Sequence, residues 1–206
     1  MNGLKIPVVG MDQFVDKIPD GTIILFEGGL DNLPSYLVQS IGDLATSERR
    51  EVTYITSKSI QDVTDQVKTV MGKDVPFYII ESVKMEDWPK FMRPRSVMIV
   101  DSFSYLVLEK DIENVKKHLE IIRKLAKENK GVVLLLSHRG LLNEHKEEIA
   151  RYLSDGIVQF HTKDMPEGIV RYMRFPKWTN GKTIDLNIFY NYENKRFNVD
   201  LRSRVI

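Results

Sequence analysis

The chain has 206 residues, enough to bury a substantial core and the size of one compact α/β domain. Its 30 basic and 29 acidic residues nearly cancel, so no global field favours nucleic acid or an anionic membrane. It has no cysteine, which excludes disulfides, thiolate metal sites and cysteine nucleophiles.

Residues 22–26 (TIILF) form a short apolar, β-branched run that suits a strand buried on both faces. A turn-like stretch, EGGLDNLPS, follows. Leu33, Leu37, Ile41 and Leu44 then recur at helical spacing to about Thr46. Residues 52–56 (VTYIT) read as a second strand, 60–71 as a helix, 77–80 (FYII) as a third strand and 96–100 (SVMIV) as a fourth. From 111 to 130 runs an amphipathic helix with Ile112, Val115, Leu119, Ile122 and Ala126 on one face and Gly131 as its expected cap. A fifth strand (132–136, VVLLL) and a helix (144–153) come next.

After Asp155 the alternation of polar and apolar residues suits antiparallel strands at 156–161, 168–174, 183–190 and 196–201. Gly181-Lys182 and Asn194-Lys195 read as turns between them. The expected architecture is one α/β domain over residues 1–206: three αβα layers, a mostly parallel sheet, and antiparallel strands added near the C-terminus. No segment reads as a leader peptide. Apolar runs stop far short of the ~20 residues of a membrane helix. A cytoplasmic location and no membrane partner are expected.

The loop after the first core strand sits where α/β sheets bind ligands. Against the phosphate-loop pattern G-x-x-x-x-G-K-[ST], Gly28 fits the first glycine and Ser35 the Mg²⁺-binding hydroxyl. Leu33 replaces the second glycine and Pro34 the lysine. Pro34 removes an ammonium and a backbone donor, yet suits a first helical turn. Asp31 or Asn32 offers a carboxylate or amide to cap the helix where a phosphate would sit. A plain strand-to-helix turn with a cap accounts for these residues as well.

Other segments add a pattern. Val9-Gly10-Met11-Asp12-Gln13-Phe14 and Ile18-Pro19-Asp20-Gly21-Thr22 precede the loop. Asp101-Ser102 ends the fourth strand, Ser137-His138 the fifth, and Asp155-Gly156-Ile157-Val158 starts the next. In this order they resemble KaiC-like and RadA-type members of the RecA superfamily of P-loop ATPases, in degenerate form. The resemblance implies a RecA-like fold, assembly into rings or filaments, ATP between subunits, and Asp101 as the Walker B aspartate.

The departures bear on function. The family's catalytic glutamates fall on Thr56-Ser57-Lys58, so no general base is evident there. Its K-x-R, which in the family reaches a neighbouring subunit's γ-phosphate, falls on Lys177-Trp178-Thr179, which keeps the lysine and loses the arginine. The expected vestigial nucleotide site comprises Gly28, Gly29, Ser35, Asp101 and Lys177, with Ser35 and Asp101 as a Mg²⁺ pair and no catalytic residue. No cofactor is required, and ATP with Mg²⁺ is the one the resemblance implies.

Three readings stand. One is a pseudo-ATPase acting as a regulatory or assembly partner, with a second copy or a paralogous ATPase. Another is an ATP-binding protein with Lys58 or Lys177 supplying the lost charge. The third is a single-stranded-DNA accessory, from the aromatic and basic residues Trp88, Phe91, Arg93 and Arg95, and Arg171, Arg174, Lys177 and Trp178. Such residues also pack connections onto a core. His118 and His145 lack metal-ligand spacing. Ser137, His138 and Asp101 lack a nucleophile elbow.

Overall fold

A computed structural model describes residues 3–29, 34–166, 168–179 and 184–200, with the backbone alone at position 185. Three two-residue strands open it: β1 (Gly3–Leu4), β2 (Val8–Val9) and β3 (Ile18–Pro19). The alternating part follows as β4 (Thr22–Gly28), α1 (Pro34–Ser47), β5 (Val52–Thr56), α2 (Ile60–Met71), β6 (Tyr78–Glu81), β7 (Val97–Asp101), α3 (Phe103–Leu106), α4 (Ile112–Asn129), β8 (Val132–His138) and α5 (Glu144–Leu153). The tail is β9 (Gly156–Met165), β10 (Gly168–Lys177), β11 (Ile184–Glu193) and β12 (Arg196–Val199).

Ten strands form one sheet in the order β2-β12-β11-β10-β9-β4-β8-β7-β5-β6. The pairs among β4 to β9 are parallel, whereas β9–β10, β10–β11 and β11–β12 are antiparallel. The expected mixed architecture is therefore present. The central strands are apolar runs because helices cover both faces. On one face Ile24, Phe26, Tyr54, Ile99 and Leu134 meet Leu37 and Ile41 of α1 and Val63 of α2. On the other, Ile23, Leu25, Val100 and Leu135 meet Leu119 and Ile122 of α4 and Ala150 of α5. At ~25 cal/mol per Å² of apolar surface, these two layers dominate the driving force for folding.

Local chemistry sets the helix ends. Backbone N–H groups donate to Ser59 Oγ (3.1 Å), Asp111 Oδ1 (2.8 Å) and Asn143 Oδ1 (3.0 Å) at the starts of α2, α4 and α5. Such caps contribute about 1 kcal/mol each. At the end of α4 the left-handed residue is Lys130 (φ 51), one position before the glycine expected there. Gly131 instead lies beside the Met92 sulfur, where a Cβ would stand 2.7 Å away. In α1, a Cβ on Gly42 would come within 2.8 Å of Phe77 and 2.9 Å of Ile99, so glycine lets the helix lie close to the sheet.

The Asn194-Lys195 turn is present, with both residues at positive φ. The Gly181-Lys182 turn lies outside the described residues. Strands β1, β2 and β3 were not expected, since two residues carry no periodic signal. Helix α3 is likewise too short for one. Among the described residues, no helix is long and apolar enough to cross a membrane.

Candidate functional site

The carboxyl ends of β4, β5, β7 and β8 converge. Gly28 stands opposite His138, Asp101 opposite both Thr56 and Leu136. Backbone bonds tie the loops together: Arg139 N–H donates to Gly28 O (3.2 Å) and Ser57 N–H to Asp101 O (3.2 Å). They enclose a cleft of about 530 Å³ lined by Gly29, Ser57, Lys58, Ser102, Tyr105, His138, Arg139, Gly140 and Leu141.

Part of the expected site is assembled here. Gly28 ends β4 and Gly29 lines the cleft. Pro34 is the first residue of α1, and its ring is buried. Leu33, Asp31 and Asn32 lie outside the described residues, so their expected substitution and capping roles do too. Ser35 Oγ accepts a hydrogen bond from Gln66 Nε2 (3.3 Å), and Gln66 Oε1 accepts from Lys58 Nζ (3.3 Å). Helix α2 thus links the ammonium of Lys58 to the start of α1.

Asp101 lies beneath the cleft, 1% exposed. Its Oδ2 accepts the Tyr54 hydroxyl at 2.5 Å, and the Tyr54 oxygen accepts from Gln39 Nε2 at 3.2 Å. Asp101 Oδ1 has no hydrogen-bond partner among the described residues. Burial, and then the charge of Asp101, push the Tyr54 phenol well above its ordinary acidity range. The phenol therefore serves as a donor to the carboxylate. Sequence reasoning missed Tyr54 and Gln39. Both occupy inward-facing positions of a core strand and helix, where a polar atom is a signal that it needs a partner.

Lys177 lies elsewhere within the chain. It pairs with Ile157, which pairs with Leu25, three residues before Gly28. That offset is about 10 Å along the strands, toward their amino ends. Its Nζ donates to the carbonyls of Arg151 (3.3 Å) and Tyr152 (3.1 Å) at the end of α5. The cation that does reach the cleft beside Lys58 is Arg139. Its terminal nitrogens each lie 3.2 Å from a ring nitrogen of His161, whose ring stacks on Tyr172 at 4.8 Å.

Two cations and exposed loop backbone fit an anionic group such as a polyphosphate. The fit to Mg²⁺ is poor. Asp101 is not among the residues lining the cleft, one of its oxygens serves Tyr54, and Ser35 serves Gln66. No group of three or more His, Asp or Glu side chains stands ready for a metal among the described residues.

His138 Nδ1 has no hydrogen-bond partner among the described residues, while its backbone N–H donates to Ser104 Oγ (3.0 Å). Burial lowers its pKa, Asp101 opposes that shift, and Lys58 adds to it. A folded-state pKa below the ordinary 6.5 means that the unfolded chain takes up the proton first as pH falls. The stability linked to His138 is thus present above pH 6.5 and declines below it. His138→Gln should flatten the fall in melting temperature between neutral and mildly acidic pH, measured by thermal denaturation. The remaining slope comes in part from His161, which burial, Arg139 and Arg174 shift the same way.

The structure is similar to two solved proteins across nearly their whole length. One is the KaiC-like protein PH0186 from Pyrococcus horikoshii OT3, with 13% identity and a TM-score of 0.79, covering 97% of this chain and 99% of that one. The other is the flagellar accessory protein FlaH from Methanocaldococcus jannaschii, with 16% identity and a TM-score of 0.74, covering 96% and 98%. The fold is that of the KaiC-like, RecA-type proteins, as the order of motifs implies. No protein-family model and no curated protein matches the sequence.

Proposed function

We propose that this chain is a non-catalytic KaiC-like protein, a pseudo-ATPase that works in the cytoplasm as a regulatory or assembly partner. The observation that carries the reading is the end of β5. There Ser57 and Lys58 line the cleft where the family's water-activating carboxylates would stand. Asp101, which stands opposite Thr56 on the neighbouring strand, is buried and held by Tyr54. None of these three side chains is placed to take a proton from water. The partner in this reading is a second copy or a paralogous ATPase. FlaH is named as an accessory protein, which is in keeping with such a role.

The test is phosphate release by the pure protein with ATP and Mg²⁺. The expected result is no turnover above a protein-free blank. Mg²⁺-dependent turnover that follows protein concentration would overturn the proposal.

A second reading, an ATP-binding protein with an unusual loop, is supported by Lys58 and Arg139 on the cleft wall. It predicts a melting temperature that rises with ATP concentration, by linkage, and does not rise in Lys58→Ala. The DNA-accessory reading draws less support. Trp88 and Trp178 are 0% and 1% exposed, packed edge-on to Phe103 and Phe175, and unavailable to stack on bases.

A further inference from the structure

A magnesium ion on a nucleotide polyphosphate takes a hydroxyl from the start of the helix after the phosphate loop and a carboxylate from the end of another core strand. In this chain both oxygens are engaged elsewhere. Ser35 Oγ, at the start of α1, accepts from Gln66 Nε2 at 3.3 Å. Asp101 Oδ2 accepts the Tyr54 hydroxyl at 2.5 Å, and that hydroxyl is fixed in turn by Gln39 of α1. Asp101 Oδ1 has no hydrogen-bond partner among the described residues, but it is buried with the rest of the side chain and does not line the cleft. Tyr54 and Gln39 therefore hold the carboxylate in the core, away from a ligand above it.

A cation stands at the same place. Lys58 is exposed, lines the cleft, and donates from Nζ to Gln66 Oε1 at 3.3 Å. Gln66 takes the ammonium at one end of its amide and the Ser35 hydroxyl at the other. The positive charge is thereby tied to the first turn of α1. Arg139 lines the same cleft, with its guanidinium against the His161 ring and that ring stacked on Tyr172. Among the described residues no carboxylate lines the cleft. A wall with two positive charges and no facing carboxylate repels a further cation and favours the more highly charged of two anions. Free ATP is more highly charged than its magnesium complex.

We propose that this cleft takes a nucleotide polyphosphate without a metal ion, with the Lys58 ammonium, steered by Gln66, supplying the charge that a divalent ion supplies in hydrolytic P-loop ATPases. Arg139 adds a second cation. The hydroxyls of Ser57 and Ser102 and the backbone of Gly29 and Gly140 line the same wall and can donate to phosphate oxygens. The inference rests on the ATP-binding reading and deepens it by stating the form in which the nucleotide binds. It agrees with the non-catalytic reading as well. A nucleotide held by fixed ammonium and guanidinium groups, with no base at Thr56-Ser57-Lys58, is a ligand and not a substrate.

The experiment is calorimetric titration of the intact chain with ATP, once in metal-free buffer and once with excess Mg²⁺. ATP alone should bind at least about threefold more tightly than ATP with Mg²⁺. Lys58→Ala should weaken metal-free binding by at least about tenfold and binding with Mg²⁺ by less, so that the preference shrinks. Position 58 is exposed, so the variant should fold, and unchanged circular dichroism checks that. Asp101→Asn keeps the shape of the side chain and should not weaken binding in either buffer. Tighter binding with Mg²⁺, or binding only with it, would overturn this inference and leave the ATP-binding reading standing. Absence of binding in both buffers would overturn the two together. Equal losses in both buffers for Lys58→Ala, or a loss confined to the Mg²⁺ buffer for a folded Asp101→Asn, would each overturn the metal-free assignment.

Discussion

Tyr54→Phe should lower the stability of the folded chain by about 2–3 kcal/mol, read as a fall in the urea midpoint at an unchanged slope. The substitution removes one oxygen and leaves the ring. The loss therefore reports what the hydroxyl does for Asp101, whose carboxylate is 1% exposed and accepts that hydroxyl at 2.5 Å. Its other oxygen has no hydrogen-bond partner among the described residues, so the variant removes the donor that the buried carboxylate has there. Asp101→Asn in the Tyr54→Phe background should recover part of the loss, because the charge is then gone as well. A loss equal to that of an ordinary exposed Tyr→Phe change would mean that Asp101 is solvated and available to a metal.

The same pair sets an alkaline limit. An unfolded tyrosine ionises near its ordinary value of 10.0, whereas burial and Asp101 keep the folded Tyr54 protonated beyond it. Above pH 10.0 the native state therefore holds more protons than the unfolded state, and stability falls as pH rises. Below that pH the contribution is fully present. The stability curve of Tyr54→Phe should be flatter than that of the parent chain on the alkaline side.

The core strands and long helices were legible because burial on both faces leaves a continuous apolar run, and burial on one side leaves a 3.6-residue period. Helix α2 spans Ile60–Met71, as its valines predict. What the pattern could not carry is anything that depends on which strand lies beside which. The register of β4 with β8 brings Arg139 to the cleft, and that of β9 with β10 places Lys177 away from the cleft of its own chain. Neither position announces its distance from the cleft in the sequence. The same holds for Tyr54, read as one more large residue in VTYIT, whose hydroxyl acquires its meaning from a carboxylate 47 positions away. Trp88 and Trp178 were legible in kind. Their basic neighbours left a surface and a core role both open, and the core role holds: the bulky rings are buried while Arg93 and Arg95 beside Trp88 stay exposed.

Leu33→Gly combined with Pro34→Lys should raise affinity for ATP by about tenfold or more without conferring hydrolysis. Lysine at 34 restores both an ammonium and a backbone N–H at the first turn of α1, and each charge-assisted bond to phosphate contributes of order 1.5–3 kcal/mol. Glycine at 33 removes a side chain from the place where the phosphate-loop pattern needs the backbone to approach the ligand. The cost to the fold has two parts: the buried Pro34 ring loses its packing, and losing proline at a compatible position gives up about 0.4–1 kcal/mol through the unfolded state. Lys58 and Arg139 already line the cleft, so the new lysine completes a set of cations and does not have to create one. Calorimetric titration with ATP and Mg²⁺ reads the affinity, and phosphate release reads the chemistry. Turnover should stay at the blank because Thr56, Ser57 and Lys58 still offer no base for the attacking water. An unchanged affinity would show that residues 33 and 34 do not account for the weakened anion site. Turnover in the double variant would show that a base exists elsewhere, and the non-catalytic reading would fall with it.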